Sequence, residues 1–143
     1  MKKSLFYTLS FTWGIIMTAI GLIVAFVLKM FGFKAKKHGW CYYFEVGNNW
    51  GGVNLGVVFL TSKNPSEHTR NHEHGHALQN CLWGPLMPFV VALPSAARYW
   101  KRHFQQKRGE QLEPYDSVWY EGQASSWGAE LINKLGGFDD GNN

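Results

Sequence analysis

The chain opens on a long apolar run, and from residue 5 to residue 28 no Asp, Glu, Lys or Arg interrupts it. An α-helix rises about 1.5 Å per residue, so a helix of this length crosses a bilayer core of roughly 30 Å with room to tilt. The run is too long for a cleaved secretory segment, and no small-x-small cleavage site follows it. A helix apolar on every side over so many turns also suits the interior of a small soluble domain poorly. The pattern therefore predicts a single transmembrane helix. Lys2 and Lys3 precede it, and Lys29, Lys34, Lys36 and Lys37 follow it. The heavier positive flank lies on the C-terminal side, and a second basic cluster comes at residues 98–108. By the positive-inside rule the lean is towards a cytoplasmic body.

Beyond residue 40 the pattern turns aromatic and β-prone. Residues 41–46 read as one strand, 48–52 as turn chemistry and 53–60 as a second strand, which together predict a β-hairpin. Gly56 inside the second strand marks a bulge or a close backbone approach. A helix start follows, with Asn64 as cap, Pro65 in the first turn and Glu67 at the third position. That helix should run to about Leu82, where Gly84 and Pro85 stop it. Residues 85–97 are apolar, but they are too few to span and contain Pro88 and Pro94. Tyr99, Trp100, Lys101 and Arg102 have the make-up of an interfacial belt or of an ordinary amphipathic surface helix. A polar linker at 110–114 leads to a last helix over about 115–135, closed by Gly136 and Gly137, with a polar tail at 138–143. The predicted class is α+β. Residues 1–37 form an N-terminal transmembrane anchor with basic flanks, and residues 38–143 form a small domain.

A length of 143 residues fits that division. Charged residues make up only 17% of the chain, below the usual level of about 25%, which excludes a disordered polyelectrolyte. The net charge of +4 is carried beside apolar segments, so it points to membrane lipid as the partner. No aromatic-basic module is present, and no nucleic-acid partner is expected. Cys41 and Cys81 form neither a CxxC pair nor a disulfide framework.

The chemistry lies at His72-Glu73-His74-Gly75-His76, an H-E-x-x-H motif inside the predicted central helix. Residues four apart share one helix face, so His72 and His76 can point two imidazole nitrogens at one metal ion. Glu73 is turned about 100° from His72 and stands beside the metal, where it can take a proton from water. His74 faces the other way, with Ala77, Leu78 and Cys81, as a core or supporting histidine. His68 lies one turn before His72 and reads as a solvent-facing residue or an auxiliary ligand. His38 and His103 have no motif around them.

A catalytic zinc usually takes three protein ligands and keeps one position open. The downstream candidates are Glu110, Glu113, Asp116, Glu121 and Glu130. Glu121 is the strongest candidate. Ala124, Ser125 and Gly128 follow it at helical spacing, a small-residue face that lets two helices approach closely. A carboxylate in such a face needs a partner, which zinc or a plain salt bridge would supply.

With these residues in place, the chain resembles the gluzincin metallopeptidases, and most of all their short, single-domain or membrane-bound bacterial relatives, the minigluzincins. The resemblance rests on residues 72–79 and 119–124 and covers roughly residues 40–135. It implies that His72, His76 and Glu121 bind Zn2+, and that Glu73 is the general base. It also implies hydrolysis of a peptide or protein substrate at a membrane. The pattern departs from the family at Ser125, where relatives often carry an Asp that supports a ligand histidine. Asp116 is a possible substitute for it. The family's transition-state donor is a Tyr or His, and Tyr115 and Tyr120 are both available. The same metal site would also suit a catalytically inactive zinc protein with a regulatory, immunity or scaffold role.

Overall fold

A computed structural model describes residues 1–136, so the tail at 138–143 lies outside the described residues. In chain order the elements are α1 (Lys3–Phe11), α2 (Ile15–Met30), β1 (Lys36–His38), β2 (Cys41–Glu45), β3 (Gly52–Leu55), β4 (Val58–Thr61) and α3 (Glu67–Trp83). A 3₁₀ turn (Gly84–Leu86) and a π-helical turn (Pro88–Ala92) lead into α4 (Leu93–Lys107). A second 3₁₀ turn (Tyr115–Ser117) then precedes α5 (Trp119–Lys134). The class is α+β, as expected.

The N-terminal run does not form one transmembrane helix. It breaks between Phe11 and Ile15 into α1 and α2, bent by 90°. No single helix among the described residues is long and apolar enough to cross a membrane. The cause is tertiary. The Asn80 side-chain amide on α3 donates to the Gly14 carbonyl at 3.1 Å, and the Trp13 indole donates to the Leu82 carbonyl at 3.3 Å. A Cβ on Gly14 would stand 2.4 Å from the Asn80 amide nitrogen, so any larger residue would displace the Asn80 side chain that holds the corner. Helix α2 then packs one face, Met17, Thr18 and Gly21, inward. A Cβ on Gly21 would lie 2.1 Å from the Leu55 carbonyl oxygen. Helix α1 also enters the core: Phe6 is fully buried with Trp40, Phe44, Phe59 and Leu78, and the Tyr7 hydroxyl donates to the Trp40 carbonyl at 2.8 Å.

The strands also pair differently from the expected hairpin. The sheet order is β1-β2-β4-β3. Strand β2 runs parallel to β4, with Phe44 opposite Leu60, and the antiparallel hairpin is β3 with β4. Residues 53–60 are therefore two strands. Gly56 turns the chain with φ +75°. The Asn54 side chain stabilises that turn, accepting from the Gly56 N–H at 2.9 Å and donating to the Gly56 carbonyl at 3.2 Å. Its amide also donates to the Glu73 carbonyl at 3.0 Å, which fastens the hairpin to α3. Strand β3 is left as an edge, with one side unpaired by any other strand of the sheet.

Helix α3 starts two residues later than the expected Asn64 cap. Asn64 sits in the left-handed region at φ +53°, and Ser66 caps instead, its Oγ accepting from the Thr69 N–H at 3.1 Å. Gly84, at φ +50°, ends the helix as expected. The last helix begins at Trp119, because residues 115–117 form a tighter 3₁₀ turn.

Candidate metal centre

Helix α3 lies against both the sheet and α5, and its residues from His72 to Cys81 are all buried. Two glycines set its distance from α5. A Cβ on Gly75 would fall 1.8 Å from the Ala124 carbonyl oxygen, and one on Gly128 would fall 1.8 Å from the Asn71 carbonyl oxygen. The helices thus meet backbone to backbone along the small-residue face that Glu121 shares. Close approach brings the Glu121 carboxylate, itself fully buried, over the two histidines.

The structure brings His72, His76 and Glu121 together. Glu121 Oε2 lies 3.0 Å from His72 Nε2 and 3.3 Å from His76 Nε2, and the two nitrogens are 3.1 Å apart. A tetrahedral ion with bonds of about 2.0–2.1 Å holds its ligand atoms roughly 3.3–3.4 Å apart. The three atoms are therefore spaced for one shared ion. Both Glu121 oxygens are buried, and Oε2 stands in ion-pair range of the two imidazoles. A carboxylate in the interior needs a positive partner, which a bound cation or a protonated imidazole supplies.

Supporting contacts orient both imidazoles. His76 Nδ1 lies 2.7 Å from Gln79 Oε1. That oxygen only accepts, because the Gln79 amide nitrogen is committed to the Tyr120 carbonyl at 2.8 Å and Gln123 Oε1 at 3.0 Å. His76 Nδ1 therefore donates, which leaves Nε2 facing Glu121 and free, in the neutral ring, to offer its lone pair to a metal ion. His72 Nδ1 lies 2.8 Å from Ser125 Oγ. Asp116 Oδ1 is 4.0 Å from the same nitrogen, so the near position belongs to Ser125.

The electrostatics follow from burial and from this clustering. Burial pushes the Glu121 carboxyl up, but the two imidazoles overturn that and hold it well below the usual carboxylate range. Burial pushes His76 down, and the adjoining Glu121 and Glu73 carboxylates more than reverse the effect. Glu73 is raised, chiefly by burial. Its Oε2 has no hydrogen-bond partner. Gly52 on β3 makes room for it, since a Cβ there would lie 2.5 Å from Glu73 Oε1.

The other histidines separate by position. His74 points into the core, where its Nε2 accepts from the Trp40 backbone N–H at 3.0 Å. Burial, with His38 nearby, lowers its pKa to about 3, so it stays neutral. His38 is buried beside it and lies 2.8 Å from Asn71 Oδ1. His68 is exposed and stands 3.7 Å from Asp116 Oδ2. Glu130 is exposed and pairs with Lys134 at 2.5 Å, and Arg108 Nε lies 3.5 Å from Glu110 Oε1. Cys41 and Cys81 are free and buried.

Tyr115 lines the cleft above His72, with ring centroids 5.8 Å apart. Burial pushes its phenol up to about 12, with the Glu121 charge adding to the effect. Tyr120 instead packs among Met17, Met87 and Val91. Two α4 arginines hold the Tyr115 segment. Arg98 donates to the Pro114 carbonyl at 3.0 Å and to the Tyr115 carbonyl at 3.2 Å, and Arg102 donates to the Glu113 carbonyl. Gln79, Ser95 and Gly52 are site residues that sequence reasoning did not assign. Gln79, three residues after His76, carried a usable helical-spacing signal; Ser95 and Gly52 carried none.

No protein-family model, curated protein or solved structure matches this chain.

Proposed function

We propose that this chain is a zinc-dependent peptidase of the gluzincin kind, working at or near a membrane. The observation that carries the reading is the triangle of His72 Nε2, His76 Nε2 and Glu121 Oε2, with sides of 3.0, 3.1 and 3.3 Å. Two imidazoles and one carboxylate make a donor set suited to zinc. Held by them, the ion would supply a Lewis acid and make water acidic near neutral pH.

The remaining chemistry falls to side chains of the cleft. Glu73, buried and raised in pKa, is placed to accept a proton from the attacking water and return it to the leaving amine. Tyr115 keeps its phenolic proton and is the donor best placed to meet a developing oxyanion. The unpaired side of β3 lines the same cavity and can hold an extended peptide by strand addition. Membrane contact is supported by the exposed apolar side chains on α1 and α2, among them Ile16, Ile20, Ile23 and Phe26. The basic residues flanking the N-terminal run favour an anionic leaflet, with the cleft on its cytoplasmic side.

The test is metal content together with peptide hydrolysis by the purified full-length chain. One equivalent of zinc per chain is expected, lost in His72→Ala, His76→Ala and Glu121→Ala. Glu73→Gln should keep the zinc and lose at least about a hundredfold in cleavage rate. Zinc retained in Glu121→Ala, or full cleavage by Glu73→Gln, would sink the assignment.

A further inference from the structure

The cleft over the proposed metal site continues into two cavities, the second the more polar. Trp50, Gly52, His72, Glu73, Tyr99 and Tyr115 line both, so the reacting centre sits where they join. One arm, of about 300 Å³, passes between α2 and the segment after α3. Its walls beyond the shared residues are mainly apolar: Met17, Leu55, Met87, Val91, Ala92 and Ala96. The other arm, of about 570 Å³, runs beneath α4 and is lined by His68, Arg102, His103 and Gln106. Arg102 stacks its guanidinium over the Tyr115 ring, 5.3 Å from the centroid, which keeps the charge beside the reacting centre.

A peptide along β3 lies across both arms, because residues 52–55 line the apolar arm and Asn49, Gly51 and Gly52 reach the polar one. Apolar walls favour a large apolar side chain, because seating it there removes apolar surface from water. A guanidinium with imidazoles beside it favours a carboxylate. The acidic groups near the polar arm do not cancel this. Asp116 faces His68 at 3.7 Å, and Glu73 belongs to the reacting centre.

We propose that the cleft selects a peptide bearing a large apolar side chain on one side of the cleaved bond and a carboxylate on the other, read respectively by the Met17–Met87–Val91 arm and by the Arg102–His103 arm. This rests on the peptidase reading. It adds what the enzyme cuts, and it makes α2 part of the specificity site, through Met17. The carboxylate is either an acidic side chain or a free C-terminus.

Binding tests the proposal without turnover. Full-length Glu73→Gln is titrated calorimetrically with synthetic dodecapeptides that pair Leu or Ser on one side of a central bond with Glu, Gln or Lys on the other, in both orders. Each is made with a free and with an amidated C-terminus. Peptides carrying both features should bind at least about tenfold more tightly than those lacking either. Loss on Glu→Gln exchange identifies a side-chain carboxylate, and loss on amidation identifies the terminus. Ala96→Phe, at an exposed position of the apolar arm, should turn the preference from Leu to Ser, and His103→Glu should turn it from Glu to Lys. Equal binding of all peptides, or variants that leave the preference in place, would overturn the two-arm assignment. Cleavage by the wild-type chain is mapped on the same set by mass spectrometry. Cutting without regard to neighbours overturns the selectivity alone; no cutting by zinc-loaded protein overturns the peptidase reading with it.

Discussion

Ser125 stands where a carboxylate would orient a ligand histidine more strongly. A neutral hydroxyl at 2.8 Å from His72 Nδ1 can orient the ring, but it adds no negative charge behind it. The Asp116 carboxylate supplies charge only from 4.0 Å. His76 likewise leans on a neutral amide, that of Gln79. Both histidines are thus positioned by neutral partners, and removing one partner should loosen the proposed zinc without unfolding the chain. Ser125→Ala is expected to weaken zinc affinity about 10- to 100-fold, as outer partners of metal ligands commonly do. Competition with a chromogenic chelator measures it. An unchanged affinity would mean that Ser125 does not hold His72. The histidines, Glu73 and Glu121 were legible in the sequence because helical spacing is a local property. His72 and His76 share a face by being four apart, and the small residues after Glu121 marked its face. The support from Ser125 was legible only as a departure from a pattern. Ser95 lines the cleft from the first turn of α4, after a bend of 117° that no spacing encodes.

Helices α3 and α5 define the site because their backbones touch. With Gly75 against Ala124 and Gly128 against Asn71, each contact would place an added Cβ at 1.8 Å from a carbonyl oxygen. No rotamer change relieves such a clash, so the helices must part. Gly128→Ala should destabilise the fold by about 1–3 kcal/mol and lower zinc occupancy with it. Thermal unfolding with and without zinc separates the two effects. If the apo protein lost no stability, α5 would not be pinned at Gly128. Pairings between distant segments were the part of the fold that local pattern did not reveal. The corner at Gly14 depends on Asn80, 66 residues away. The parallel pairing of β2 with β4 depends on Gly56 closing a hairpin within a run that reads as one strand. Hydrophobic alternation marks a strand; it does not name its neighbour.

The N-terminal run serves two surfaces at once. Its inner face completes the core and one wall of the cleft, through Phe6 and Met17. Its outer face leaves large apolar side chains uncovered, with Ile23 and Phe26 about two-thirds exposed. The 16 residues of α2 extend only about 24 Å, short of a bilayer core of roughly 30 Å. A helix with one face docked on its own domain is better suited to lie along a membrane interface than to cross it alone. Lys2, Lys3 and Lys29 sit at the ends of the two helices, where each can add about 1 kcal/mol at an anionic surface. Full-length protein should therefore float with vesicles containing phosphatidylserine, bind less to neutral vesicles, and release partly as salt is raised. The double variant Ile23→Glu, Phe26→Glu should lose flotation while keeping its zinc and its melting temperature, because both positions face outward. Equal flotation of the variant would show that α2 does not carry the contact. A fall in melting temperature would instead show that this face is covered by protein. Membrane contact through α2 would hold the apolar arm close to the lipid, since Met17 lines that arm from the same helix.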